Sequence, residues 1–304
     1  MPVSGVGLGR LEFIVASHIK LHPNAAIDFE ELKKDADKQK MVKEIREITK
    51  GYSDKKEFYK EKLSEGIAQI AAAFWPKEVI IRFSDFKTNE YAHLIGGESY
   101  EPEESNPMMG WRGASRYYSE EFLPAFEMEC AAMKKVREEM GLNNLKIMVP
   151  FCRTVEEAKK VLSIMKDNGL KRGKNHLEVY VMAEIPSNII LAEEFAKHFD
   201  GFSIGTNDLT QFTLGIDRDA GNSLQVAGTD NAQNEAVKDS IERLIKAAHK
   251  KKRKVGICGQ APSDFPEFNE FLVEAGIDSI SLIPDTVLKT TVMVNKKEDK
   301  MKKK

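Results

Sequence analysis

The stretch VYVMAEIPSNIILAEEFAKHFDGFSIGTND (179–208) contains two short apolar runs, and each run leads into a carboxylate. Glu184 follows the first run and Asp208 follows the second, while residues 187–198 between them have a helical pattern. In a strand–helix–strand unit, both acids lie at the same edge of a parallel sheet, at neighbouring strand ends. This stretch therefore predicts an α/β fold with a functional site at the carboxyl ends of its strands.

Similar apolar runs recur along the chain, each followed by a helical pattern, which is typical of parallel strands buried on both faces. The third of these runs is the weakest, because it is short and contains glycine. Eight units of this kind predict a closed (β/α)8 barrel of the TIM type, and a doubly wound open sheet is the alternative. The eight candidate strands lie at 4–8, 79–83, 108–112, 145–151, 178–183, 201–205, 254–258 and 279–283.

One connection is too long for a plain barrel. Residues 16–76 separate the first two predicted strands, and the stretch 28–73 within them is charged and mostly helical in pattern, so we expect a helical insertion there. The barrel is then expected to extend over residues 1–295. The lysine-rich residues 296–304 are expected to form a solvated, disordered tail.

Composition excludes several classes of protein. The 304 residues suffice for one large barrel, and a net charge of −2 gives no bias towards nucleic acid or membrane surfaces. No apolar run is long enough to span a bilayer or to act as an N-terminal signal. The odd number of widely spaced cysteines argues against a disulfide framework and favours the cytoplasm. These cysteines are Cys130, Cys152 and Cys258.

The two acids of the opening stretch suit a divalent metal. Carboxylate oxygens held close together are ligands for Mg²⁺ or Mn²⁺, and substrate oxygens usually complete such a shell. Each acid alone also has a structural alternative, since Glu184 could cap the helix near Ser187 and Asp208 could cap the turn before Leu209.

Other strand ends carry arginines. Arg10 follows the first predicted strand, Arg82 lies in the second, and Arg112 lies in the segment GWRG. Guanidinium groups match the geometry of carboxylates and phosphates, so this set favours a small polyanionic ligand that a metal bridges to the protein. For any one arginine, a surface ion pair is the structural alternative.

A thiol and a glycine turn complete the candidate site. Cys258 has glycines close by on both sides, which favour an exposed, tightly turned position, although an inert buried thiol is the alternative. The backbone N–H groups of 205–207 could bind an anion. No Walker loop and no GxGxxG opening a helix is present, so ATP binding is not supported.

Four segments resemble signatures of the PEP-utilising enzymes, in the C-terminal barrel that binds phosphoenolpyruvate (PEP) or pyruvate. The resemblance extends from about residue 5 to about residue 294, and within the family the pyruvate, water dikinases fit best. It implies the same barrel fold. The four segments are GVGLGRLEF (5–13), NPMMGWRG (106–113), GTNDLTQ (205–211) and GICG (256–259).

The resemblance also implies a role for each matching residue. Glu184 and Asp208 would hold Mg²⁺ or Mn²⁺, and Cys258 would move a proton to or from the methyl carbon of pyruvate. The implied substrate-binding residues are Arg10, Arg82, Arg112, Thr206, Asn207 and Arg218.

In this family the phosphoryl group arrives from a histidine on a separate domain. None of the six histidines here has the expected Gly-rich context, so we expect phosphohistidine and ATP-binding domains in cis or trans. A homodimer is implied as well. Residues 222–234 depart from the loop expected after Arg218. The alternatives are a non-catalytic or regulatory PEP-binding subunit and a Mg²⁺-dependent lyase of the citrate lyase type.

Overall fold

The structure, a computed structural model, describes residues 3–217 and 232–302. Two compact units divide the chain. The C-terminal unit comprises Met1–Leu8, Phe151–Val155 and Val179–Lys304. The N-terminal unit comprises Gly9–Pro150 and Glu156–Glu178.

Seven strands are present in the described residues. They are β1 (Gly5–Arg10), β2 (Glu78–Arg82), β3 (Leu145–Val149), β4 (Val179–Ala183), β5 (Gly201–Gly205), β6 (Lys254–Cys258) and β7 (Ser279–Ile280). Their order in the sheet is β1-β2-β3-β4-β5-β6-β7. β2 pairs in parallel with β3, and β4, β5, β6 and β7 pair in parallel in succession. Parallel strands in chain order with helices between them confirm the predicted α/β fold of the TIM-barrel type.

Helices occupy most of the remaining described chain, and the first five lie between β1 and β2. They are α1 (Leu11–Ile14), α2 (Pro23–Ile27), α3 (Phe29–Leu32), α4 (Gln39–Ile48), α5 (Lys55–Phe74), α6 (Thr88–Ala92), α7 (Ala114–Tyr117), α8 (Leu123–Lys134), α9 (Val155–Asp167), α10 (Pro186–Ile190), α11 (Ala192–His198), α12 (Thr206–Leu214), α13 (Glu235–Lys250), α14 (Ala261–Asp264), α15 (Pro266–Ala275) and α16 (Val287–Lys302). Within 3–217 and 232–302, no helix combines the length and the apolar character that a bilayer crossing needs.

The strands are buried as their apolar runs predicted. Every residue of β3, β4 and β5 is buried, which is usual for parallel strands covered on both faces. Within the C-terminal unit, β1 also runs beside the segment that follows β7. A Cβ atom added to Gly7 would lie 2.0 Å from Ser281 Oγ, so any larger residue here would force the Ser281 side chain to move.

The predicted strand at 108–112 is wrong. This segment forms turns, in which Met109 N donates to Asn106 O and Gly110 N donates to Pro107 O. The N–H group of Trp111 donates to the Glu104 carboxylate at 2.9 Å. These backbone groups are satisfied locally, so the segment has no need of a strand ladder.

The lysine-rich end also differs from the expectation of a disordered tail. From residue 296 the chain continues α16 as far as Lys302. Lys297 pairs with Glu270 and Glu274 of α15, which ties this helix to its neighbour. The sequence did not predict this part of α16, because the ion pairs of Lys297 depend on two acids that lie one turn apart on α15.

Candidate active site

Three predicted side chains follow three neighbouring strands of the C-terminal unit. Glu184 comes directly after β4, Asp208 lies in the first turn of α12 after β5, and Cys258 ends β6. Parallel pairing of β4 with β5 and of β5 with β6 aligns these strand ends. The structure therefore brings the three residues to one edge of the unit, where the sequence placed them.

The two carboxylates lie close together and are mostly buried. One oxygen of Glu184 and one of Asp208 are within 4.8 Å of each other. Two ligands of one Mg²⁺ at about 2.1 Å each are at most about 4.2 Å apart, so a small movement would let both oxygens bind one ion. Two buried like charges repel each other, and a cation between them would relieve this repulsion. This donor set fits a hard divalent metal.

Glu184 is held in place by residues on the neighbouring loop. Its Oε1 accepts a hydrogen bond from Phe151 N at 2.7 Å, and Phe151 has a φ of +43° to present that N–H group. Its backbone N–H donates to Asn188 Oδ1 at 3.2 Å, and Asn188 Nδ2 donates to Cys152 O at 2.8 Å. The residue that directly precedes α10 is Ile185 rather than Glu184, and the Glu184 carboxylate accepts from the loop that contains Phe151.

Asp208 occupies the third position of α12, inside the first turn rather than before it. Thr206 and Asn207 precede it in the same turn, where the backbone N–H groups of a helix lack partners within the helix. The turn therefore presents an acid together with N–H groups at the strand edge. The predicted residue Arg218 lies outside the described residues.

Cys258 is buried, with 2% of its surface exposed, so the expected exposure is wrong. Its Sγ donates to Ile204 O at 3.3 Å and accepts from Ser203 Oγ at 3.6 Å. The glycine that follows makes the tight turn, with Gly259 at φ +108°. Thr206 Oγ1 donates to Cys258 O at 3.1 Å across this turn. The thiol is therefore fixed in position beside the turn that the glycine allows.

We expect Gly259→Ala to destabilise the protein more than Gly51→Ala. Both glycines have positive φ, which costs about 1–2 kcal/mol for alanine. A Cβ at Gly259 would also lie 2.1 Å from Thr206 Oγ1, whereas nothing lies within 4 Å of one at Gly51. This overlap adds about 1–3 kcal/mol. Urea unfolding measures both differences, and equal losses would mean that Thr206 yields without cost.

In the N-terminal unit, two predicted arginines share one carboxylate. Arg112 donates to Asp85 through Nε at 3.0 Å and Nη2 at 2.7 Å, a two-pronged pair. Arg82 Nη1 lies 3.2 Å from Asp85 Oδ2, and its Nη2 donates to Glu12 at 2.7 Å. Glu12 also accepts from Asp85 N at 2.5 Å. The two carboxylates balance the two buried guanidinium groups and fix their orientation.

Arg10, the last residue of β1, differs from the other two arginines because it is exposed. Its guanidinium group lies over the ring of Phe13, with 4.0 Å between the Arg10 Cζ atom and the ring centroid. This is a cation–π contact, and it orients the guanidinium group without neutralising it.

A further arginine that the sequence did not single out supports the segment of Arg112. Arg116 is fully buried, and its Nε donates to Trp111 O at 2.8 Å. Its guanidinium group pairs with Glu101, which also contacts His22 Nε2 at 3.0 Å. Burial alone would raise the pKa of Glu101, but these hydrogen bonds lower it overall, while burial lowers the pKa of His22. The backbone before Arg112 is therefore anchored by a buried ion pair.

These features are those of an α/β enzyme domain with acids, a thiol and arginines after its strands. Residues 1–299 match the family described as "PEP-utilising enzyme, PEP-binding domain", and the chain belongs to that family. The chain is 58% identical to a phosphoenolpyruvate synthase of Synechocystis, over 96% of this chain and 35% of that protein. It is 54% identical to one of Aquifex aeolicus, over 99% of this chain and 40% of that protein.

The chain thus spans well under half the length of these relatives. Among solved structures, a malate synthase of Haloferax volcanii in complex with pyruvate and acetyl-CoA has a TM-score of 0.47 at 14% identity. That similarity covers 79% of this chain and 56% of the malate synthase. It is too distant to inform function.

Proposed function

We propose that this chain is the PEP/pyruvate-binding catalytic part of a phosphoenolpyruvate synthase. In this proposal it enolises pyruvate, and the enolate oxygen then takes a phosphoryl group from a phosphohistidine on another domain. The observation that carries the proposal is the alignment of Glu184, Asp208 and Cys258 at one strand edge of the C-terminal unit. Membership of the PEP-binding family supports the choice of substrate.

Glu184 and Asp208 would hold Mg²⁺, or Mn²⁺ in its place. When bound, the ion would supply positive charge that stabilises the negative charge developing on the carbonyl oxygen of pyruvate. Asn188 and the Phe151 N–H group keep the Glu184 carboxylate in the position needed for this role.

Cys258 would transfer the proton. As thiolate it would take a proton from the methyl carbon of pyruvate, and the C–H electron pair would form the enolate double bond. In the reverse direction the thiol would return that proton to the same carbon. The contact of Sγ with Ile204 O supports this role because it holds the sulfur in one place in its protonated form.

The arginines would bind the anionic groups of the substrate. Arg82 and Arg112 are buried and oriented by Asp85, so they would lose little freedom when they bind a carboxylate or phosphate. Arg10 is exposed and carries a charge that no carboxylate of the described residues pairs, which suits an incoming phosphoryl group. Thr206, Asn207 and Arg218 complete the proposed set.

The remaining parts of the reaction would come from elsewhere. Phosphohistidine and ATP-binding domains, in cis or in trans, would deliver the phosphoryl group, and two copies of the chain would pair. We place this enzyme in the cytoplasm on the cysteine content, as part of the same proposal.

Proton exchange tests the proposal without ATP. With Mg²⁺ in D₂O, the chain is expected to exchange the methyl protons of pyruvate, as followed by loss of the ¹H NMR signal, and EDTA is expected to stop the exchange. No exchange above a metal-free control would contradict the proposal. PEP binding without exchange would indicate a non-catalytic subunit, and carbon–carbon cleavage of a 3-hydroxyacyl substrate would indicate a lyase.

A further inference from the structure

A buried glutamate lies behind the arginines of the N-terminal unit. Glu129 is on α8 and is 1% exposed. Its Oε2 accepts a hydrogen bond from Ser84 N at 3.2 Å, and its Oε1 accepts from Ser84 Oγ. Ser84 immediately precedes Asp85, which both buried arginines contact. A single carboxylate therefore holds both the backbone and the side chain of the residue beside the arginine clamp.

Ser84 is enclosed on its other sides as well. Tyr117 OH donates to Ser84 O at 2.6 Å, and Tyr91 OH is 2.8 Å from Ser84 Oγ. With the two bonds to Glu129, the N–H, C=O and hydroxyl groups of Ser84 are all engaged. Such a buried polar network fixes one arrangement when every member is satisfied.

The charge of Glu129 is unusual for its surroundings. It forms no ion pair with any residue in 3–217 or 232–302. Burial raises the pKa of Glu129 to about 7, hydrogen bonds from Ser84 work in the opposite direction, and the Glu12 carboxylate adds to the rise. An apolar residue would be easier to bury at this position than an acid. The acid is therefore a candidate for a functional role.

The tyrosines and the cysteine around Glu129 do not change charge near neutral pH. Burial raises the pKa of the three tyrosines and of the cysteine well above their ordinary values. Glu129 is therefore the group of this core that titrates around pH 7. The groups that face it are Glu12 on α1, Tyr59 on α5, Tyr91 on α6, Tyr117 on α7 and Cys130 on α8.

We propose that Glu129 is a positioning residue, which holds Ser84 and so sets where the Asp85 carboxylate points. Asp85 in turn holds the guanidinium groups of Arg82 and Arg112 in the orientation that binds substrate. The effect on substrate rests on the proposed function, whereas the effect on the arginines does not.

The protonation state of Glu129 changes the strength of its hydrogen bonds with Ser84. The ionised carboxylate accepts both bonds from Ser84, and charge-assisted bonds of this kind are short and strong. The protonated acid has lost one acceptor oxygen, as has glutamine. We therefore expect Glu129→Gln to resemble the acidic form of the protein at every pH. The guanidinium groups of Arg82 and Arg112 are therefore held most firmly above pH 7, where Glu129 is ionised.

The test compares the wild-type chain, Glu129→Gln and the control Glu127→Gln, an exposed glutamate on the same helix. The Nε–Hε NMR signals of Arg82 and Arg112 are followed from pH 6 to 8.5 without ligand. They are expected to titrate with a midpoint near pH 7 in the wild type and in the control, and to stay constant in Glu129→Gln. Signals that do not titrate in the wild type, or titrate equally in Glu129→Gln, would overturn the proposal.

A second arm measures PEP binding by calorimetry over the same range. Glu129→Gln is expected to bind PEP roughly fivefold more weakly than the wild type at pH 8.5 and equally well at pH 6. Equal affinity at both pH values would contradict the positioning role. A wild type that binds no PEP would instead refute the proposed function, and the arginine signals would still decide the role of Glu129.

Discussion

Replacement of Cys258 by alanine is expected to slow the exchange of pyruvate methyl protons by about 10²- to 10⁴-fold, the usual contribution of general acid–base catalysis. The sulfur is buried at the end of β6, where its S–H group donates to Ile204 O. Alanine removes the proton carrier but no charge that binds substrate. The affinity for PEP is therefore expected to stay within about twofold of the wild type.

Cys130→Ala is the matched control for this loss. Cys130 is likewise buried and forms no disulfide, but it lies on α8 in the N-terminal unit. It is expected to exchange protons at close to the wild-type rate, with stability measured in parallel by thermal unfolding. Exchange at the wild-type rate in Cys258→Ala would assign the proton transfer to another group.

Replacement of Glu184 by glutamine is expected to weaken Mn²⁺ binding by at least about 100-fold. This exceeds the loss of about 10- to 100-fold that follows removal of a hydrogen-bond partner of a metal ligand. Glutamine keeps an oxygen that can accept the Phe151 N–H group, so the local backbone should be retained. Only the negative charge is lost, and Asp208 alone then faces the ion. Titration of free Mn²⁺ by electron paramagnetic resonance measures the affinity.

Glu157→Gln controls for the loss of a buried carboxylate elsewhere. Glu157 is 8% exposed and accepts a hydrogen bond from Tyr118 OH at 2.9 Å, which glutamine can preserve. Its affinity for Mn²⁺ is expected to be unchanged, while Asp208→Asn should behave like Glu184→Gln. If both acid variants bound Mn²⁺ as the wild type does, the metal site would have to lie elsewhere.

The site residues that the sequence located best are those whose positions follow from the repeated strand–helix pattern. Glu184, Asp208 and Cys258 follow strands, and the ends of parallel strands joined by helices meet at one edge whatever the details of packing. The same reasoning failed at 108–112. Its apolar residues resemble a short strand, but the Glu104 carboxylate, seven residues before Trp111, accepts from the Trp111 N–H group, and the segment forms turns.

The supporting residues could not be read from the sequence because their roles exist only in three dimensions. Asp85 lies three residues after Arg82, and this spacing alone does not indicate an ion pair. Its pairing with Arg112 joins segments far apart in the chain. Asn188 similarly bonds to Cys152 O, on the loop after a different strand. In the sequence Glu129 is one charge in a mostly apolar helix, and the tyrosines that face it come from three other helices.

The closeness of Gly7 to Ser281 has a consequence for the way the chain folds. Residues Met1–Leu8 belong to the C-terminal unit although they precede the whole N-terminal unit in the sequence. Their neighbour Ser281 lies far along the sequence, so the contact closes a long loop, and the entropy lost in closing it slows folding. The N-terminal unit is almost continuous in sequence and can fold meanwhile. Until that contact forms, β1 has an unpaired edge on that side, and unpaired strand edges are sites of aggregation.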